Sequence, residues 1–254
     1  QSATVEQLMQ HRAGFPQGLS DEDEIYDYED DESASDTERR ARFVARALQA
    51  EPIGRIGEDF NYSNIGYAVA GHIAERLTGQ SWEHLMRTEV FTPFGISSGE
   101  FGWPYSASKP HQPRGHSAEG DEFVPAPDDY TIGPDIAPAG DVQCTVSDLA
   151  TYAWIHLQGF NGIDGPLLAS TFRRLHTPLT PSTSGRGYAC GWSLREVDGI
   201  GTVHDHNGSG GTYYAHMEIH PDSNFVIVVA TNVGLEGMDI AQKIVDTVTS
   251  KYSN

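Results

Sequence analysis

The period of the apolar residues changes once along this 254-residue chain, near Gly187. Before that position, apolar residues recur every three or four places, as they do on one buried face of a helix. After it they alternate with polar residues, as they do in strands that have one buried face. Because the helical and strand patterns are separated along the chain, the sequence predicts an α+β fold, with a helical part followed by an antiparallel sheet.

The last quarter of the chain contains the predicted sheet and one covering helix. Pro221-Asp222-Ser223-Asn224 has the composition of a hairpin turn, which would pair the last two strands. We therefore predict two domains, a partial helical domain at 1–180 and a sheet domain at 181–254. The predicted strands span 188–197, 202–206, 213–220 and 225–232, and the covering helix spans 238–248.

Start and stop signals define several helices before the sheet. Thr4 precedes Gln7 by three residues, which is the spacing of a capping box. Ser63 or Asn64 can begin a helix that Gly79 ends as a left-handed residue. Further helices are predicted at 39–49, 82–90, 146–159 and 169–176. The side chains expected to face the interior include Leu48, Ile65, Val69, Ile73, Leu77, Ile240, Ile244, Val245 and Val248.

Acidic residues dominate the charge, with 36 Asp and Glu against 16 Lys and Arg and a formal net charge of −20. Such a field repels phosphate backbones and anionic membranes, so nucleic acid and lipid surfaces are not expected as partners. The segment 21–38 is dense in acids and is expected to form an exposed loop, because it has too little apolar surface to bury. The longest apolar run, 225–230, is too short for a membrane span.

Tyr62-Ser63-Asn64 is the stretch most typical of a catalytic site. A tyrosine and an asparagine two residues apart, at the start of an apolar helix, project from a rigid helix entrance. The phenol of Tyr62 can take or give a proton, and the amide of Asn64 can position a substrate. A buried tyrosine beside a helix-capping asparagine would have the same sequence, so the stretch alone leaves both interpretations open.

A longer frame around that stretch resembles the serine β-lactamase and penicillin-binding-protein superfamily. The frame includes Gly66-Tyr67, 75–79 (Glu-Arg-Leu-Thr-Gly), 90–96 (Val-Phe-Thr-Pro-Phe-Gly-Ile) and the passage 137–150. The similarity is to the class C-like branch of esterases, D-aminopeptidases and D,D-peptidases. It implies an α/β sandwich of helices on an antiparallel sheet, a structural role for His11, and a periplasmic or secreted location. It also implies that the loop 21–38 either overhangs the substrate cleft or is merely solvated.

His206-Asn207-Gly208, followed by Ser209-Gly210-Gly211, occupies the place of the superfamily's third motif. The resemblance implies that His206 places a cationic or hydrogen-donating group beside the substrate, while Gly208 leaves clearance for an acyl chain. The backbone N–H of Ser209 would point at the developing oxyanion. The candidate substrate-binding residues are Asn207, Gly208, Gly210 and Gly211.

The superfamily's nucleophile is a serine with a lysine one helical turn later, and the resemblance places that pair before Thr4, outside this sequence. The one Ser-x-x-Lys of the chain, Ser106-Ala107-Ser108-Lys109, is interpreted as a coincidence, because Pro110 disfavours a helix at that lysine. Two early strands and the central helix would be missing with the nucleophile. Three explanations stay open: the chain is a fragment or cleaved product, another polypeptide supplies the serine, or the chain is a degenerate homologue.

The predicted function is that of a serine hydrolase of the esterase or D-amino-acid peptidase type, acting through an acyl-serine. Tyr62, Asn64 and His206 are expected to meet around one pocket. The expected partners are a small-molecule ester, amide or D-amino-acid peptide and a second fragment that carries Ser-x-x-Lys. No cofactor and no metal are expected.

Two other functions remain as alternatives. A non-catalytic homologue would keep the cleft and serve as a ligand-binding module. A zinc hydrolase would use histidines that share strand faces, His204 with His206 and His216 with His220, although their spacing is not that of a helical zinc motif. The two cysteines, Cys144 and Cys190, either pair in an exported protein or stay as buried thiols, and their spacing does not decide between these.

Overall fold

The computed structural model describes residues 2–17, 33–120, 122–128, 132–180 and 186–252. These residues form helices and antiparallel strands, which confirms the predicted α+β class. The α-helices are α1 (Val5–Met9), α2 (Asp36–Ala47), α3 (Asn64–Thr78), α4 (Trp82–Leu85), α5 (Val146–Phe160), α6 (Ala169–Leu175) and α7 (Gly237–Tyr252). The strands are β1 (Glu100–Phe101), β2 (His116–Glu119), β3 (Glu122–Pro125), β4 (Val142–Gln143), β5 (Arg186–Tyr188), β6 (Ser193–Val197), β7 (Gly201–Ser209), β8 (Tyr214–His220) and β9 (Phe225–Thr231).

The chain divides into two compact units. The first comprises Gln1–Glu89 and Ile132–Asp141, and the second comprises Val90–Thr131 and Val142–Asn254. The two domains predicted at 1–180 and 181–254 stay a prediction. Within the described part of the chain, no helix is both long and apolar enough to cross a membrane.

The first unit is built around the packing of α1, α2 and α3. Ser63 caps α3 and Gly79, in the left-handed conformation, ends it, as the sequence predicts. Leu77 was expected in the buried stripe of α3, but it is 82% exposed, so that expectation is wrong. The core side chains are Leu8, Phe43, Val44, Ala47, Ile65, Ala68 and Val69, with Ile73 packed against them.

The start of α2 lies earlier in the chain than predicted. Ser35 and Glu38 form a capping box, so the helix begins at Asp36 and the last residues of the predicted loop 21–38 are helical. The loop residues 21–32 lie outside the described residues. Leu48, expected to face the interior, follows the last residue of α2 and is exposed, whereas Ala47, predicted on the same side, is buried.

The second unit is built on a five-stranded antiparallel sheet in the order β5-β6-β7-β8-β9. Helix α5 covers one face, where Ala153 and Leu157 pack against Trp192 and Ile219. Helix α7 covers the other face, as predicted. The predicted strand 188–197 is two strands, β5 and β6, with a turn between them.

The buried face of α7 differs from the predicted one. Ala241 and Val245 pack against the sheet, and Val248 lies partly buried beside them. Ile240 and Ile244 are 47% and 43% exposed, so the expectation that they pack onto the sheet is wrong. Helix α7 therefore covers the sheet with a narrower apolar face than the sequence pattern indicates.

Candidate active site

Tyr62 lies just before α3, and a histidine fixes its ring. The Tyr62 residue is 40% exposed, and its ring centroid lies 4.2 Å from that of His11. Partial burial raises the pKa of the Tyr62 phenol above its usual value. The phenol is therefore protonated at neutral pH and is a hydrogen donor in this state. It can act as a base only after another group removes that proton.

His11 connects α1 to the residues that flank Tyr62. It is buried, and its Nδ1 accepts a hydrogen bond from the Ser63 N–H at 3.0 Å. The Asn61 N–H donates to the His11 carbonyl at 2.8 Å. Because Nδ1 is an acceptor, the imidazole carries its proton on Nε2. These contacts support the structural role predicted for His11, which is to hold the backbone on both sides of Tyr62.

Asn64 is the first residue of α3 and lies partly buried. Between it and Tyr62, the buried Ser63 turns inward, and its hydroxyl accepts a hydrogen bond from the Gly66 N–H at 3.2 Å. The cap of α3 is therefore Ser63, and the Asn64 side chain is not needed for it. Tyr62 and Asn64 therefore lie on either side of Ser63, whose side chain points inward and is held by the cap of α3.

The strand β7 has one open edge at its C-terminal end. Strand β6 pairs with β7 only as far as Asp205, whereas β8 pairs with β7 from His204 to Ser209. Within the described residues, the segment 206–209 thus has a strand partner on one side alone. Residues 207–209 are exposed. Backbone groups of this open edge can pair with an extended ligand.

The side chains of the third motif have different surroundings. A Cβ built on Gly208 would meet no atom within 4 Å, so the space above this glycine is open. The side-chain amide of Asn207 donates to the Tyr214 hydroxyl at 3.0 Å. The side-chain amide of Asn207 therefore bonds within the fold. Its backbone N–H and C=O groups, which are exposed, are the groups that can bind a ligand.

His206 is partly buried on β7. Burial lowers the pKa of His206 below its usual value, and the charge of His216 lowers it further, while a hydrogen bond with the Gly191 backbone opposes both. The imidazole is therefore neutral at neutral pH. It can donate or accept a hydrogen bond, but it does not carry the positive charge of a lysine.

Comparison of the sequence with protein families identifies the family of this chain. Residues 1–245 match the family described as Beta-lactamase. The chain belongs to the beta-lactamase family. It is 29% identical over 214 residues to penicillin-binding protein 4 of Amycolatopsis lactamdurans, a match that covers 79% of this chain and 55% of that protein. The beta-lactamase-family chain spans about half the length of the curated relatives it matches.

Solved structures show the same fold. The penicillin-binding protein from Bacillus halodurans superposes with a TM-score of 0.74 at 20% identity, covering 97% of this chain and 72% of that one. The D-amino acid amidase from Ochrobactrum anthropi superposes with a TM-score of 0.70 at 18% identity, covering 97% of this chain and 73% of that one. At these identities, the likeness establishes the fold of the beta-lactamase-family chain and no activity.

The Ser-x-x-Lys at 106–109 does not have the contacts of a catalytic pair. Lys109 forms an ion pair with Glu100, and the Ser106 hydroxyl lies 3.0 Å from that of Ser108. The backbone forms a turn, in which the Lys109 N–H donates to the Ser106 carbonyl at 2.9 Å. These contacts support the interpretation that the motif is a coincidence in this member of the beta-lactamase family.

The other histidines considered for zinc bond to neighbouring side chains. His204 belongs to a buried chain of three, in which His176 lies 2.8 Å from His156 and 3.2 Å from His204. His216 and His220 lie 3.0 and 2.8 Å from the Glu218 carboxylate. Among the described residues, no three His, Cys, Asp or Glu side chains have the arrangement of a metal site.

The two cysteines do not form a disulfide with each other. Burial raises the pKa of the Cys144 thiol to about 11, and the charge of Asp148 contributes to the increase. A thiol with this pKa is protonated at neutral pH, so Cys144 is not an activated nucleophile.

Proposed function

We propose that this chain is the larger part of a serine hydrolase of the esterase or D-amino-acid peptidase type. The observation that carries the proposal is the open edge of β7 at 206–209, where exposed backbone and an uncovered glycine leave room for an extended acyl group. The family membership supplies the second support, since the chain matches the Beta-lactamase family over 1–245. A D-amino acid amidase shares the fold, which favours amides of D-amino acids among the proposed substrates.

In the proposed reaction, each catalytic group has its own role. A serine outside these 254 residues attacks the ester or amide carbonyl and forms an acyl-serine, and the alcohol or amine leaves with a proton. A lysine beside that serine takes its proton, and Tyr62 passes a proton to the leaving group. Water then attacks the acyl-serine and releases the acid. The Ser209 N–H stabilises the oxyanion in both steps.

Substrate binding is assigned to three further groups. Asn64 holds the substrate amide, and Gly208 leaves clearance for the acyl chain along β7. His206 donates a hydrogen bond to the substrate carboxylate. Because His206 is neutral at neutral pH, it serves here as a hydrogen-bond donor without a positive charge.

The proposed partner is a segment that carries Ser-x-x-Lys, either in a longer form of the same polypeptide or on another chain. Hydrolysis of p-nitrophenyl esters tests this proposal. The 254-residue chain alone is expected to be inactive, and the longer protein encoded by the parent reading frame is expected to be active. Equal inactivity of both would contradict the hydrolase assignment.

A non-catalytic ligand-binding module is the second candidate function. It is favoured by one observation, that the one Ser-x-x-Lys of the chain pairs its lysine with Glu100. If the parent reading frame lacks an upstream Ser-x-x-Lys and a penicillin-type ligand still raises the melting temperature, the binding module is the correct assignment. An upstream Ser-x-x-Lys that reacts with substrate rules it out.

A further inference from the structure

An aromatic side chain borders the open edge of β7. The indole of Trp103 contacts the backbone of Gly210, because a Cβ built on that glycine would lie 1.8 Å from Cη2 and 2.7 Å from Cζ2 of the indole. The same indole stacks on the ring of Tyr213, with centroids 5.4 Å apart and planes inclined by 15°. We call these two rings the Trp103–Tyr213 wall. Tyr213 follows the short turn that comes after the exposed residues 207–209.

Hydrogen bonds hold the backbone of Trp103 and the ring of Tyr213 in place. The side-chain amide of Gln143 donates to the Trp103 carbonyl at 3.1 Å and to the Phe101 carbonyl at 3.3 Å. The Tyr213 hydroxyl donates to the Pro113 carbonyl at 2.8 Å. A wall fixed in this way loses little conformational freedom when a ligand packs against it, so the contact contributes more to affinity.

The Trp103–Tyr213 wall consists of flat, uncharged rings. The nearby cation, Arg114, stacks on Tyr105 at 4.6 Å and is bonded to Asp128 and to the Ala126 carbonyl. Its charge is therefore already paired. Trp103 and Tyr213 are each partly buried as whole residues. Ring faces of this kind bind aromatic groups by offset or edge contacts.

We propose that the Trp103–Tyr213 wall is a specificity-determining subsite, which selects substrates with an aryl group next to the position of Ser209. The inference rests on the proposed function, since it takes the open edge of β7 as the place where the substrate lies. Gly210 is part of the same subsite. Any side chain at that position would displace the indole and remove the subsite.

Because the proposed function places the nucleophile outside this chain, the chain is suited to a binding test. The ligands are N-phenylacetyl-D-alanine amide and N-acetyl-D-alanine amide, titrated by calorimetry. The wild-type chain is expected to bind the phenylacetyl ligand about tenfold more tightly, because aromatic pairing strengthens that contact alone. In Trp103→Leu and in Gly210→Ala the preference is expected to fall below about twofold, whereas Trp103→Phe, which keeps a flat ring, retains most of it.

The control is Trp154→Leu, which removes an exposed indole on α5 and is expected to leave the preference unchanged. Circular dichroism checks that each variant is folded. If both ligands bind and the preference is the same in wild type and Trp103→Leu, the subsite is wrong and the proposed function stands. If neither ligand binds the wild-type chain, both the subsite and the proposed function are contradicted.

Discussion

At the scale of single residues, the position of Tyr62 depends on His11. The histidine has a positive φ of 55°, a conformation that few side chains other than Asn, Asp and His adopt readily. In that conformation its Nδ1 reaches the Ser63 N–H and its carbonyl reaches the Asn61 N–H. The resemblance to a family indicated a structural role for this residue. The contacts that explain the role join residues about fifty positions apart, so no local pattern could reveal them.

Replacement of His11 tests this role. His11→Ala is expected to lower the free energy of unfolding by about 2–4 kcal/mol, because it leaves the buried Ser63 N–H without its acceptor and places alanine at positive φ. His11→Asn is expected to cost less than half as much, since its side-chain oxygen can accept the same hydrogen bond. Urea unfolding measures both. Equal losses in the two variants would show that the Nδ1 contact is unimportant.

The chain of three buried histidines makes the second unit sensitive to acid. It joins His156 of α5, His176 at the end of α6 and His204 of β7, with Asp222 as the charged group near His204. Burial lowers the pKa of His156 to about 3 and that of His204 to about 4, and lowers the pKa of His176 as well. The unfolded chain therefore binds protons at a higher pH than the folded chain does.

This difference fixes the sign of the pH dependence. Stability is fully present above about pH 6.5, the ordinary histidine value, and falls as the pH decreases toward 4. Between pH 6.5 and 5, we expect a loss on the order of 1–2 kcal/mol per buried histidine. Urea unfolding at the two pH values measures the loss, and His176→Gln is expected to reduce it. An unchanged free energy of unfolding over this range would mean that the histidines are not held neutral.

At the scale of helices and strands, caps were predictable and buried faces were predictable only in part. Thr4, Ser63 and Thr145 cap their helices as their side chains indicate. The predicted buried stripe of α3 is wrong at Leu77 for a geometric reason. A step of four residues overshoots one turn of 3.6 by about 40°, so three such steps rotate Leu77 about 120° away from Ile65.

Truncation of Ile65 and of Leu77 tests this orientation of α3. Ile65→Ala is expected to lower the free energy of unfolding by about 2–5 kcal/mol, because it opens a cavity in the core of the first unit. Leu77→Ala is expected to stay within about 0.5 kcal/mol of wild type, because the side chain is exposed. Denaturant unfolding distinguishes these outcomes, and a large loss in Leu77→Ala would mean that α3 is rotated from the described orientation.

Helix α2 contains a buried charge that no apolar pattern indicates. The Arg40 side chain is fully buried, pairs with Glu75, and lies 2.6 Å from Glu83. Its Nε donates to the Pro134 carbonyl at 3.1 Å, so it also joins α2 to a distant segment of the first unit. Arginine is ordinarily a surface residue, which is why sequence reasoning placed no weight on it.

Removal of this arginine is expected to be costly. Arg40→Ala leaves the buried Glu75 without its cation and is expected to lower the free energy of unfolding by about 3–5 kcal/mol. Arg42→Ala, on the exposed side of the same helix, serves as the control and is expected to change it by less than about 1 kcal/mol. Thermal unfolding compares the two variants, and similar melting temperatures would contradict a structural role for the buried ion pair.

At the scale of the whole molecule, the sequence predicted the α+β class and the sheet-covering helix, because both follow from hydrophobic period. It did not predict the Trp103–Tyr213 wall, since this contact joins a loop before the sheet to a turn within it. The sequence predicted Gly210 and Gly211 as substrate-binding residues and did not predict that Trp103 contacts Gly210. Substrate preference depends on such long-range contacts, which explains why the reaction type was easier to infer than the substrate.

We propose that the reactive serine lies in a segment beyond these 254 residues. Mass spectrometry of the longer protein, after reaction with a fluorophosphonate probe, tests this claim most directly. We predict one adduct, on a serine of an upstream Ser-x-x-Lys, and labelling slowed at least about tenfold in Tyr62→Phe. An adduct on Ser106, or no adduct on any serine, would contradict the claim.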